Sequence, residues 1–296
     1  MIVLVICLLV IILFVIVIYN RGRSDYDINW DNVELSKTNK LESNCFTIVK
    51  NMSLMNHNKL VLIPSYFNNP KIIVDTTQIL CLKFTFGNYI WINFAGTYLG
   101  ATLVDAFDIR YTPINMDFKV HRGFHRIYTK YIKPQFEDLL ELNQQCDNMV
   151  KGDNVLKGDN LVKGDNIVSN KKLIISGYSL GGVLAVLLLC DILKYDSVVN
   201  DQSEQNNNQK KLEDRLIKCN IFATPRFGCK KMHDYFSTYD KLLRVEYEHD
   251  NIPKFAARNF HNIGIKKKFN LDNNIPGIIN THYYSYETYY KTWHTI

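Results

Sequence analysis

Leu173-Ile174-Ile175-Ser176-Gly177-Tyr178-Ser179-Leu180-Gly181-Gly182 decides how this chain is read. Three consecutive large aliphatic residues make a short buried strand, and a long apolar run from Leu180 to Tyr195 makes a buried helix. Between them lies G-x-S-x-G, Gly177 to Gly181. A strand that turns sharply into a helix holds the central serine in a strained backbone conformation with its hydroxyl projecting. Side chains two before and two after that serine would collide with the turn, which accounts for both glycines. Gly182 then lets the helix pack closely on the sheet. The helix start also brings free amides and a positive dipole end beside Ser179.

Working outward, Ile217 to Ala223 and Leu242 to Glu248 read as further strands, each about one crossover apart. This spacing predicts an α/β fold with a mostly parallel central sheet and helices on both faces. Upstream, residues 79 to 94 read as a hairpin around Gly87-Asn88. Residues 124 to 148 are helical in pattern, with Pro134 marking a kink or break. Lys-Gly-Asp-Asn recurs at 151–154, 157–160 and 163–166. Three six-residue units with turn-forming Asn and Gly read as an expanded surface loop, 150–169, because loops absorb insertions at small cost. The Asn- and Gln-rich tract at 199–212 reads as a second solvated loop.

The apolar share of the chain is concentrated at its start. Met1 to Tyr19 carries no charged side chain, and at ~1.5 Å per residue it would extend roughly 28 Å, close to a bilayer's hydrocarbon core. No charged region precedes it and no small-x-small cleavage site follows, so residues 1–20 are expected to be a transmembrane helix rather than a signal peptide. Arg21 and Arg23 favour a cytoplasmic C-terminal bulk without settling the side. Residues 21–45 are then a juxtamembrane linker, and 46–296 the folded domain.

Composition excludes several classes. With 47% hydrophobic and 22% charged residues, the chain is not disordered, and seven scattered cysteines do not make a disulfide framework. Those cysteines read as reduced. Without C-x-x-C or C-x-x-H spacing they suggest no metal site either. A net charge of +6 permits attraction to an anionic lipid surface but is no nucleic-acid footprint. No nucleic-acid partner and no cofactor are expected.

A serine hydroxyl is a poor nucleophile until a histidine takes its proton, and the histidine needs a carboxylate to orient it. Asp250 follows the strand Leu242–Glu248, at the carboxyl end where a catalytic acid belongs. His249 adjoins Asp250 and would point away from it. His261, His282 and His294 remain as candidate bases.

Several ordered blocks across roughly residues 80 to 290 resemble the class 3 lipases, which include the fungal triacylglycerol lipases. The nucleophile block Ile174 to Ala185 is similar, with Tyr178 where the family usually has His. Phe94-Ala95-Gly96-Thr97 resembles F-R-G-[ST], with Ala95 in place of Arg. Val120-His121-Arg122-Gly123-Phe124 resembles V-H-x-G-F. Phe222-Ala223-Thr224-Pro225-Arg226-Phe227-Gly228 resembles F-G-x-P-R-x-G, with Ala223 in place of Gly. Asp250-Asn251-Ile252-Pro253 resembles the block that holds the family's acid.

The resemblance implies an α/β-hydrolase fold and hydrolysis of lipid esters, and the N-terminal anchor would hold such a site at a lipid surface. Ser179 becomes the nucleophile and Asp250 the orienting acid, while Thr97 and Leu180 supply oxyanion-hole amides. Residues 98 to 117 lie where the family carries a lid, and the apolar Leu99 to Phe107 serves either as such a cover or as core. His282 is the expected base. His261 sits in a block whose family counterpart is not the base, and His294 is two residues from the end. His282 follows the Pro276-Gly277 turn and precedes Tyr283-Tyr284-Ser285-Tyr286, much as the family places its base before an aromatic-rich helix. Phospholipase A1 action, another lipid-esterase activity, and a catalytically silent, membrane-anchored interaction role on the same fold are the alternatives.

Overall fold

The computed structural model describes residues 41–54, 68–75, 80–96, 108–142, 171–202, 211–255 and 259–271, together with 282, 285, 286 and 288. The expected transmembrane segment, most of the linker and the Lys-Gly-Asp-Asn repeat lie outside these residues. No helix among the described residues is long and apolar enough to cross a membrane.

A seven-stranded sheet carries the fold. Its strands are β1 (Asn68–Asp75), β2 (Leu80–Phe86), β3 (Tyr89–Phe94), β6 (Lys172–Tyr178), β7 (Leu216–Phe222), β8 (Leu242–Tyr247) and β9 (Ile265–Phe269), in that order across the sheet. A separate two-stranded ribbon pairs β4 (Tyr111–Pro113) with β5 (Lys119–His121). β1, β2 and β3 are antiparallel, and β3, β6, β7, β8 and β9 run parallel. The expected hairpin is β2–β3, and Gly87 takes the positive φ of 55° that its turn requires.

Both faces of the sheet are covered, which is why its central strands read as nearly continuous apolar runs. On one face, Ile90, Ile92, Leu173, Ile175, Cys219 and Ile221 pack beneath α4 (Leu180–Gln202), whose Leu184, Leu187, Leu188 and Leu189 are buried. α2 (Arg122–Tyr131) closes the same layer through Phe124, Ile127 and Tyr128. On the other face, α1 (Leu41–Leu54) lays Cys45, Phe46, Ile48, Val49 and Met52 against Trp91, Ile174, Tyr178 and Phe222.

Three boundaries differ from the sequence reading. α1 begins at Leu41, inside the stretch expected to be linker, because Cys45 and Phe46 are needed to cover the second face. α4 runs seven residues past Tyr195, into the tract expected to be loop. The buried carboxylate of Asp196 explains the extension: it accepts the Leu212 and Glu213 N–H groups at 2.7 Å each, tying α4 to the start of α5 (Leu212–Arg215). The expected helix over 124–148 is α2, a 3-10 turn at Lys133–Gln135 containing Pro134, and α3 (Phe136–Leu140). α3 stops at Glu141, which is left-handed at φ 54°.

The described residues on either side of 143–170 share one anchor. Arg215, almost wholly buried, donates to Leu140 O at 3.1 Å and to Lys171 O at 2.9 Å, joining the end of α3 to the residue before β6. The five described cysteines are free thiols.

Candidate active site

The site is built where β3, β6, β7 and β8 end. Ser179 follows β6 and precedes α4, and its φ of 53° is the left-handed conformation that a strand-to-helix elbow imposes. Its N–H donates to Phe222 O at 2.8 Å, pinning the turn to the neighbouring strand. The glycines are forced by close approach. A Cβ at Gly177 would strike the Gly181 carbonyl, and one at Gly181 would strike the carbonyl oxygens of Phe94 and Ala95. One at Gly182 would overlap the Thr224 hydroxyl.

The contact at Gly181 also places the loop after β3. Phe94 and Ala95 run directly against Gly181 of the elbow, with Ala95 N–H held by Leu80 O at 3.0 Å. That main-chain bond anchors the loop at the position where the resembling block carries Arg. Thr97, the expected oxyanion donor, lies outside the described residues. Leu180 is the first residue of α4, so its N–H is among those a helix leaves without an internal partner.

Asp250 lies three residues beyond β8 and is 1% exposed. Its Oδ1 accepts the Ile252 N–H at 2.9 Å. Its Oδ2 accepts from His282 Nδ1 at 2.9 Å and from the Tyr286 hydroxyl at 3.1 Å. The first contact turns the Nδ1 side of the His282 ring toward the carboxylate. His282 and Tyr286 are both helical and four residues apart, so they share one face. Burial and the Asp250 charge hold the Tyr286 phenol well above its ordinary range, so it stays protonated and donates.

The other histidines stand elsewhere. His249 is exposed, with its ring 5.5 Å from that of Tyr247. The His261 ring lies 5.7 Å from that of His233, and the main-chain N–H of His261 donates to Gly228 O. His294 lies outside the described residues, as do Leu99 to Phe107 of the expected lid. The rest of the expected lid segment, 108–117, is the β4 strand and a tight turn whose Ile114 N–H bonds to Phe118 O at 2.8 Å.

Two tyrosines enter the site that motif spacing did not single out. Tyr286 belongs to the aromatic run after His282, and the four-residue offset is its signal in the sequence. Tyr178 ends β6, and its hydroxyl donates to the His282 carbonyl, a contact with no local signature. Beneath both lies Phe46 of α1, 6.2 Å from Tyr178 and stacked 6.0 Å from Tyr286.

Ala223 is a further strained position, at φ 52° just after β7. A left-handed L-residue costs about 1–2 kcal/mol, and replacing it with glycine returns about 0.5–1 kcal/mol of backbone entropy to the unfolded chain. Ala223→Gly is therefore expected to stabilise the protein by roughly 0.5–1 kcal/mol in urea unfolding. An unchanged or lower midpoint would show that the turn holds Ala223 without strain.

The described residues thus hold an elbow serine after β6 and a buried carboxylate–imidazole contact after β8. The family described as lipase (class 3) matches residues 91–260, more than half of the chain. A lipase from Rhizopus microsporus var. chinensis superposes with a TM-score of 0.51 at 15% identity, covering 79% of this chain and 75% of that one. Lipase II from Rhizopus niveus gives 0.50 at 15% identity, over 78% and 82%. A deletion mutant of Rhizomucor miehei lipase with its propeptide gives 0.51 at 15% identity, over 80% and 69%. Against a fungal lipase–inhibitor complex, at 18% identity and a TM-score of 0.45, the match covers 67% of this chain and 66% of that one, just under two thirds of its length. No protein of curated description matches. At these identities the superpositions establish the α/β-hydrolase fold, and the family match adds the lineage: the chain belongs to the class 3 lipases, a family of serine ester hydrolases.

Proposed function

We propose that this chain hydrolyses carboxylic esters of lipids through Ser179, His282 and Asp250. The observation that carries the reading is the 2.9 Å contact between His282 Nδ1 and Asp250 Oδ2, in a chain whose elbow holds Ser179 at positive φ. With Nδ1–H committed to the carboxylate, Nε2 is left to accept the Ser179 proton. The Ser179 oxygen adds to the ester carbonyl as its proton passes to His282. The Leu180 N–H, together with that of Thr97, stabilises the oxyanion. Collapse of the tetrahedral adduct breaks the ester C–O bond, and His282 returns its proton to the departing alcohol. Water, deprotonated by the same imidazole, then releases the acid and restores Ser179. Asp250 holds the imidazole in one orientation throughout, through its contact with Nδ1.

Family membership supports a lipid ester as substrate, and the apolar run Met1 to Tyr19 supports a membrane anchor that keeps the site at a lipid surface. The test is a panel of emulsified triacylglycerol, phosphatidylcholine vesicles and a short-chain p-nitrophenyl ester, offered to the full chain. Fatty acid released from a lipid arm is expected, and the arm that responds separates triacylglycerol from phospholipid action. No release from any arm would favour the catalytically silent reading.

A further inference from the structure

We infer that Tyr178 is a positioning residue for the catalytic base: its hydroxyl fixes the main chain of His282 relative to Ser179. The inference rests on the hydrolase reading above and adds a residue to it. Tyr178 is the last residue of β6, directly before Ser179 in the chain. It is fully buried on the α1 face, and its hydroxyl donates to the backbone carbonyl of His282. The two rings lie 5.1 Å apart. One residue thus joins the nucleophile covalently and the base by a hydrogen bond.

The constraint differs in kind from the one Asp250 supplies. Asp250 grips Nδ1 and sets the rotation and tautomer of the imidazole. It does not by itself fix where the backbone of His282 sits. The Tyr178 bond acts on that backbone, so together the two contacts set both the position and the orientation of Nε2. Proton transfer from the serine depends steeply on that placement, and a shift of about 1 Å can cost roughly 10²-fold in rate. Tyr178 is itself braced. Its ring meets Phe46 edge-on at 6.2 Å and Tyr286 at 6.1 Å, so its hydroxyl cannot swing away without disturbing the packing under the site. The ring contributes to packing and the hydroxyl to placement, and substitutions separate the two.

The experiment compares wild type with Tyr178→Phe, and then with p-methylphenylalanine and p-aminophenylalanine incorporated at 178. The last two nearly match tyrosine in volume, but only the amino group donates. Steady-state hydrolysis of the p-nitrophenyl ester gives kcat and KM, and the rate of inactivation by a fluorophosphonate reports the nucleophilic step alone. Tyr178→Phe is expected to lower kcat and the inactivation rate by a similar factor, about 10–100-fold, with KM within about twofold. The amino variant should recover much of that loss and the methyl variant none. If Tyr178→Phe does not fold, the two isosteres still decide the matter. Equal activity in the isosteres, a wild-type kcat in Tyr178→Phe, or a change confined to KM would overturn the inference. A wild type inert to both substrate and fluorophosphonate would instead contradict the hydrolase reading itself.

Discussion

Ser179→Ala is expected to abolish ester hydrolysis, lowering kcat by about 10⁴-fold or more while the protein stays folded. The size follows from chemistry. The alanine keeps the Cβ and the elbow, including the N–H bond to Phe222 O, but removes the only atom that can form the acyl-enzyme. What remains is binding and oxyanion stabilisation, which act on water instead of an activated hydroxyl. Little stability should be lost, because Ser179 is only half-buried and its main-chain bond survives. A urea midpoint close to wild type, alongside a p-nitrophenyl ester rate near background, checks both halves. Activity within about tenfold of wild type would remove Ser179 from the mechanism.

Asp250→Asn carries the second large effect, for a different reason. The carboxylate accepts from Ile252 N–H, the Tyr286 hydroxyl and His282 Nδ1. An amide of the same shape offers one oxygen and one NH₂ group, so it cannot receive all three. If the oxygen stays with Ile252, the NH₂ group faces His282 and Tyr286. The imidazole then accepts at Nδ1 and carries its proton on Nε2, the nitrogen that should take the serine proton. A kcat loss of about 10⁴-fold is expected from the wrong tautomer. Because a buried unpaired donor costs about 1–3 kcal/mol, a fall in stability of that order should accompany it in urea unfolding. A variant that keeps activity within about tenfold would show that the 2.9 Å contact does not orient the base.

Much of this site was legible because its parts are local. G-x-S-x-G between an apolar strand and an apolar helix names its own turn, and Gly177 meets the turn as predicted, whereas Gly181 is crowded by the Phe94 and Ala95 carbonyls, a tertiary contact the motif did not show. The Asp250 position follows from the end of β8, and the Gly87-Asn88 turn follows from two adjacent residues. His282 needed the resemblance, since spacing alone left three histidines open. What the sequence did not disclose is tertiary. α1 has too polar a pattern to announce itself, and only packing of Phe46 against Phe222, Tyr178 and Tyr286 makes it part of the domain. The extension of α4 depends on Asp196 meeting backbone amides across a segment of unpatterned polar residues. Tyr178 reaches a carbonyl more than a hundred positions away, which no periodicity can signal.

The central claim is that His282, oriented by Asp250, activates Ser179. Its most direct test is covalent labelling of the native full chain with a fluorophosphonate, followed by tandem mass spectrometry of the adduct. The account requires one modified residue, Ser179, with labelling lost in Ser179→Ala, strongly slowed in His282→Ala and unchanged in His261→Ala. An adduct on another residue, or labelling that persists in His282→Ala and fails in His261→Ala, would contradict it.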